Sequence, residues 1–450
     1  MNRTPRSTTE LPDQGELEGV VRRILEVAAD LGATSAEAGV SCDVGLSVTV
    51  RMGDVETLEF HRDRGLGVSV YFGHRKGSAS TSDLSDEAIR ETVQAACDIA
   101  RYTSEDDCAG LAPAELMARD IPDLDLFHPW PLSAEEGIDI ARRCEDIARA
   151  HDPRIHNSEG ATLATHQGLR VYGNTHGFLG GYPSTRHSLS CSVLAEQDGQ
   201  MQRDYWYTVA RAPEDLQGPE DVGRIAAERT VHRLGARRIA TRQAPVLFAA
   251  EVATGLMRSF VAAIRGGNLY RRSSFLLDRL DEPVFPDFVR IDEFPHLPRG
   301  LGSAPFDSEG VATRERAIVD AGILRGYVLD SYSACKLGMQ TTGNAGGVHN
   351  LTVRPGDEDL AALLRRMGTG LLVTELMGQG VNIVTGDYSR GAAGFWIENG
   401  EVAFPVHEIT VAGNLDRMFR DIEAVGSDMD LRGNIRTGSI LIREMTIAGD

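Results

Sequence analysis

The sequence predicts an α+β protein of two domains, on three observations. At 450 residues the chain exceeds what one ordinary core organises. Its first half runs helix, extended segments, helix, and then repeats that order. Beyond about residue 237 strands and glycine turns dominate, and helices become few. The boundaries expected are a flexible leader over 1–15, an N-terminal domain over 16–236 built from two similar halves, and a C-terminal, mostly antiparallel, barrel-like or sandwich-like domain over 237–450.

Each element has a local cause. Leu17, Val20, Val21, Ile24, Leu25 and Ala28 recur at helical spacing, and Gly32 stands where a helix stop belongs. Leu46, Val48 and Val50 alternate with Ser47, Thr49 and Arg51, and 55–60 and 66–72 follow as two more extended pieces. Ser85 caps a helix over 86–102 whose Ile89, Val93, Ala96 and Ile99 share one face. In the second half Ser133 opens a helix through Ile138, Ile140, Cys144 and Ile147. Extended segments span 155–193 and 205–210, and Pro219 leads a helix to about Leu234. The stretch between the halves, 103–131, holds acids and four prolines and reads as a crossover loop. In the second domain Ala321-Gly322 and Asn399-Gly400 mark hairpins. Helices are expected only at 251–264, 360–367 and 415–422, with a short helical stretch at 332–337.

Composition excludes several classes of function. The formal net charge of -20 opposes binding to phosphate backbones and anionic lipid, so direct nucleic-acid and membrane partners are not expected. No run approaches the roughly 18 apolar residues of a membrane helix, and Met1–Gly15 lacks the apolar centre of a secretory signal. Six cysteines carry no C-x-x-C pair; they read as unpaired, mostly buried thiols in a reducing compartment, and the cytoplasm is the expected location.

Motifs for chemistry are sparse. Gly378-Gln379-Gly380 is an isolated G-x-G that reads as a tight turn. The denser Gly343–Gly347 run suits either a ligand-facing loop or an irregular turn. Cys335 reads as a packed thiol. His151 and His156 flank Pro153, which would break a metal-binding helix. His349 and His407 have no partner at ligand spacing.

Long blocks nevertheless resemble one family. These are Pro245–Leu256, Ala304–Gly310, Gly343–Asn350, Met367–Gly370, Thr374–Gly380, Gly386–Gly400 and Glu408–Leu415. They are similar to the TldD/PmbA family, also called the modulator-of-gyrase family, and to its PmbA (TldE) branch. The resemblance implies peptidases of the TldD type that bind zinc through an H-E-x-x-x-H helix and a distant cysteine. It also implies TldE-type partners, the pair acting on unfolded peptides such as leader segments and labile antitoxins.

Laid on that pattern, the histidine positions fall at Ala250 and Gly255, the glutamate at Glu251 and the cysteine at about Gly391. Alanine and glycine offer no lone pair to a metal. The resemblance therefore implies a non-catalytic subunit, with no catalytic residue and no cofactor of its own, zinc residing only in a TldD-type partner. Glu251 reads as an acid favoured by a helix N-terminus. Asn344, Gly346, Gln379, Tyr388 and Arg390 are the expected peptide-chamber residues. Two other readings stay open: a stand-alone peptidase with unusual ligands such as His349 or His407, and a homodimeric peptide-binding module. Homodimerisation is expected when the partner is missing.

Overall fold

The computed structural model describes residues 11–449. The N-terminal domain contains α1 (Gln14–Asp30), β1 (Ser35–Arg51), β2 (Asp54–Phe72), β3 (Arg75–Thr81) and α2 (Asp86–Tyr102). The same order returns as α3 (Ala134–Ala150), β4 (Ile155–Asn174), β5 (Leu179–Gln197), β6 (Gln200–Ala210) and α4 (Pro219–His232). The duplication inferred from pattern is thus present in the fold. The two halves join in one antiparallel sheet, ordered β3-β2-β1-β4-β5-β6, with β1 and β4 at its centre.

Alternation along β1 explains the layering. Ala36, Ala38, Val40 and Cys42 are buried with α1 and α2, whereas Leu46, Val48 and Val50, on the same face, are buried with α3 and α4. The opposite face carries Glu37, Ser41 and Asp43, which look into a cleft. Ser85 caps α2, and Ser133 with Glu136 forms a reciprocal capping box on α3. The helix expected from residue 16 starts at Gln14, because Asp13 accepts a hydrogen bond from the Gly15 amide and supplies the cap. Residues 1–10 of the expected leader lie outside the described residues.

Two sequence expectations change here. The extended pieces 55–60 and 66–72 are one 19-residue strand, since polar Arg62–Gly65 interrupts the apolar pattern but stays in register with Ser41–Val44 of β1. The 103–131 crossover is also more than a loop. Ala112, Met117 and Ala118 pack with Tyr172, Phe178, Phe306 and Val311, so this segment staples the two domains.

The C-terminal domain begins with β7 (Arg242–Phe248), α5 (Ala250–Ala263) and α6 (Gly266–Tyr270). It continues through β8 (Ile291–Glu293), β9 (Arg316–Asp320), β10 (Ile323–Leu324), α7 (Ser331–Lys336), β11 (Leu351–Val353) and α8 (Leu360–Met367). There follow β12 (Gly370–Met377), β13 (Val381–Asn382), β14 (Asp387–Glu398), β15 (Glu401–Asn414), α9 (Leu415–Arg420), β16 (Ile422–Val425), β17 (Ile435–Arg436) and β18 (Ile440–Ala448).

Strands β12, β7, β18, β15 and β14 pair in that order, and β14 pairs back to β12, closing a small barrel. The β7–β12 and β11–β17 pairs are parallel, departing from an otherwise antiparallel domain. Leu256, Met257 and Phe260 of α5 pack with Val246, Val373 and Ile440 in the largest apolar core. Both expected hairpin turns occur, with positive φ at Ala321-Gly322 and Asn399-Gly400.

Cysteine pairing is a correction. Cys108, in the crossover segment, and Cys335, on α7, form a disulfide with Cα atoms 5.5 Å apart. They are separated by 227 positions, so spacing could not reveal the pair. Cys42, Cys97, Cys144 and Cys191 are free and buried, as expected of packed thiols. Thiol titration of denatured, unreduced protein should therefore find four reactive groups, rising to six after reduction; six before reduction would refute the pairing.

Candidate functional site: a filled metal position at the domain seam

α5 follows directly from β7, which delivers Ala250 and Glu251 to the helix's first turn against the edge of the N-terminal domain. Ala249, the cap residue, makes no side-chain cap bond, so Glu251 is the acidic group nearest the amide dipoles. Its carboxylate does not stand free. Arg229 of α4 donates to Glu251 Oε1 at 2.7 Å and to Asp204 of β6 at 3.4 Å. Arg233, one turn later, bridges Asp204 at 3.5 Å and Glu375 of β12 at 2.5 Å. Asp204 is 4% exposed, so the cluster is largely removed from water.

Aromatic faces complete the cluster. The Arg229 guanidinium lies 5.2 Å from the Trp206 ring, and Arg432 lies 4.1 Å from Trp206 and 4.4 Å from Tyr207. Burial pulls against the charge on Arg229, but Asp204 and Glu251 outweigh it and raise its pKa above the ordinary arginine value. Three carboxylates thus meet guanidinium groups at the position where the family pattern places a metal.

The donor set does not suit a cation. Ala250 and Gly255 have no donor atoms, and a Cβ built at Gly255 meets nothing within 4 Å, so no packing requirement explains the missing side chain. Gly391 pairs across the ladder with Met377, whose Cβ would stand 3.4 Å from an added Cβ. Among the described residues no three His, Cys, Asp or Glu side chains gather at metal-binding spacing. His349 is placed between the Gly302 and Gly343 carbonyls, each at 3.3 Å, while His407 sits near Gln202 at the seam.

The five expected chamber residues do not converge. Tyr388 is 2% exposed and packs edge-on to Phe248 inside the barrel core, so it lines no chamber. Burial pushes its phenol up to about 12. Asn344 is an internal strut: its amide donates to Glu293 at 2.7 Å, and its carbonyl accepts from Arg316 at 2.7 Å and from Thr342 at 2.7 Å. Gln379 sits in the exposed turn between β12 and β13, and Arg390 lies half-buried on β14. Gly346 is exposed and borders a cleft, and its φ of 104° and the Ser308 hydroxyl, 2.8 Å from an added Cβ, both favour glycine.

Gly346 borders a cleft of about 1020 Å³ between the polar face of the six-stranded sheet and the loops carrying Ser308, Glu309 and Asp330. Its acids escaped sequence reading. Glu37 is held by the Tyr71 and Tyr172 hydroxyls, each at 2.9 Å. Glu309 accepts from the Ser331 amide at 3.0 Å, and burial pushes it up to about 7. The Ala304–Gly310 block carries Glu309, so the residue lay inside a recognised motif without a role attached.

Residues 36–100, 127–234 and 241–449 match the three domain models of the PmbA/TldA metallopeptidases: domain 1, the central domain and the C-terminal domain. The chain belongs to the PmbA/TldD family. It is 55% identical over 433 residues to Metalloprotease PmbA of Escherichia coli O157:H7, covering 96% of each chain. It is 52% identical over 436 residues to a PmbA homolog of Haemophilus influenzae, covering 97% of this chain and 96% of that one. A Bacteroides thetaiotaomicron protein described as a candidate modulator of DNA gyrase superposes with a TM-score of 0.92 at 29% identity, over 97% and 99% of the two chains. TldE from Thermococcus kodakarensis shares the fold, with a TM-score of 0.84 at 19% identity over 96% of this chain and 100% of that one.

Two outcomes test the site. Replacing Arg229→Ala should lower the unfolding free energy by about 1–3 kcal/mol in urea titration, because Glu251 and Asp204 lose a shared partner, while Glu251 keeps some contact with water and Asp204 keeps Arg233. Arg229→Lys should recover only part, since a point charge cannot span both acids. For Glu309 the folded pKa of about 7 lies above the ordinary 4.5. Between those values the folded chain holds a proton that the unfolded chain releases, so stability falls as pH rises through that window. Glu309→Gln should flatten this part of the melting-temperature profile; an unchanged slope would assign it elsewhere.

Proposed function

We propose that this chain is the non-catalytic, TldE-type subunit of a peptidase complex, binding no metal itself and completing the complex of a TldD-type, zinc-bearing partner. One observation carries the reading: Glu251, the acid that the family pattern places at the metal, is neutralised by Arg229, between positions 250 and 255 that offer no donor. A guanidinium supplies the positive charge that a cation would otherwise bring, and a cation arriving there would meet repulsion. Relatives named as metalloproteases support the family chemistry, and the seam explains why this chain would need another subunit to perform it.

In this reading the substrate is an unfolded peptide, such as a leader segment or a labile antitoxin, and the cleft beside Gly346 offers it a polar wall. The compartment we propose is the cytoplasm, where the Cys108–Cys335 bond would face a reducing thiol pool. No helix among the described residues is long and apolar enough to cross a membrane. The test is direct. The purified chain should contain no stoichiometric zinc or iron and leave an unfolded peptide intact; adding a TldD-type chain should produce a complex that cleaves it. Stoichiometric metal together with hydrolysis by the chain alone would overturn the proposal in favour of a stand-alone peptidase.

A further inference from the structure

The Cys108–Cys335 bond lies at the surface. Cys335 is exposed at the end of α7 and Cys108 is half-buried, and both border an open recess of about 500 Å³ with His74, Gly338 and Met339. The other four cysteines are packed in the two helix–sheet cores of the N-terminal domain, out of reach of solvent. Exchange chemistry is thereby confined to one pair.

We propose that this bond is a thiol–disulfide exchange site, reduced by a vicinal dithiol that enters the recess and attacks Cys335. An attacking thiolate needs access to the sulfur it displaces, and the exposure of Cys335 selects that sulfur. Attack joins the dithiol to Cys335 and expels Cys108 as the leaving thiolate. The second thiol of the reagent then displaces Cys335 and closes a disulfide of its own. Two electrons and two protons pass from the dithiol to the protein, and each step makes one S–S bond as it breaks another.

What the bond controls follows from what it joins. Cys108 belongs to the crossover segment, which is fixed to the turn between β2 and β3. There the His74 carbonyl accepts from the Asp106 amide at 3.1 Å, and the His74 ring lies 3.2 Å from the Ala109 carbonyl. Strand β3 supplies Ser78 and Ser80 to one wall of the cleft. On the other side, Asp330 caps α7 and the Ser331 amide holds Glu309, and both acids line the cleft. The bond therefore ties the two domains together at the β3 end of the cleft.

A second contact runs beside it. Asp106 accepts from Lys336 at 2.6 Å and from the Tyr332 hydroxyl at 2.7 Å. The Asp106 and Lys336 side chains are each 32% exposed, so salt screens their attraction. After reduction this flank is held by a contact that ions weaken; before it, a covalent bond holds regardless of salt. The inference does not rest on the peptidase reading, and its test contains no peptide.

Alkylation and amide hydrogen exchange test both parts. The folded chain treated with dithiothreitol and then N-ethylmaleimide should be labelled at Cys108 and Cys335, with the other four cysteines unlabelled. With oxidised glutathione, the Cys108→Ser chain should form a mixed disulfide at Cys335 roughly tenfold faster than the Cys335→Ser chain forms one at Cys108. Amide exchange over 105–111 and 329–337 should rise about tenfold on reduction and again with added salt, yet ignore salt while the bond is closed. A chain carrying both Cys108→Ser and Cys335→Ser should show the reduced pattern with or without dithiothreitol, which separates the bond from the reagent. A bond that resists dithiothreitol in the folded chain, label spread over all the cysteines, faster reaction at Cys108, or exchange unchanged by reduction would each overturn the proposal.

Discussion

The relation between the two domains depends on a contact between α4 and α5. Arg229 on α4 and Arg233, its C-cap residue one turn later, reach across to Glu251 and Glu375 while sharing Asp204. Glu251 and Glu375 take these partners from the other domain, and each arginine divides its contacts between the two. Burying charges costs several kcal/mol each unless partners are supplied, so α4 and the barrel favour a single relative placement. That placement sets the cleft, because the sheet face bearing Glu37 and the loop bearing Glu309 belong to different domains.

The same contact gives the first turn of α5 a structural role. Removing two ligands from a helix would leave a carboxylate beside a hole; an arginine from the neighbouring domain fills the electrostatic gap. The helix keeps its packing through Leu256, Met257 and Phe260 in the barrel core. Where the family pattern places a metal, this chain has an ion pair between its domains.

Much of the fold was legible because its signals are local. Ser85 and Ser133 announce their helices, and Ala321-Gly322 and Asn399-Gly400 announce their hairpins through positive φ. A barrel-like or sandwich-like domain was expected, but the strands that close it were not all legible. Strands β7 and β12 have apolar centres, Val246–Phe248 and Leu371–Val373, buried on both sides, and without alternation they register as motifs rather than strands. At the site, the vacancies at Ala250, Gly255 and Gly391 were readable as missing donors. Arg229 was not, since an arginine on an amphipathic helix looks like a solvated one until the second domain is placed beside it. Tyr388 failed for the converse reason: a polar tip on a strand suggests a surface, yet here its ring points into the barrel.

The disulfide joins a residue laid down early in synthesis to one laid down late. When Cys108 emerges from the ribosome its partner is 227 positions away and belongs to a domain not yet made. The bond can close only once both segments have been made and brought together, so it ties the crossover segment to α7 across the two domains. By the loop-entropy account a ring of that length restrains the unfolded chain by roughly 5 kcal/mol. Reduction would then leave a molecule with every native contact except one latch.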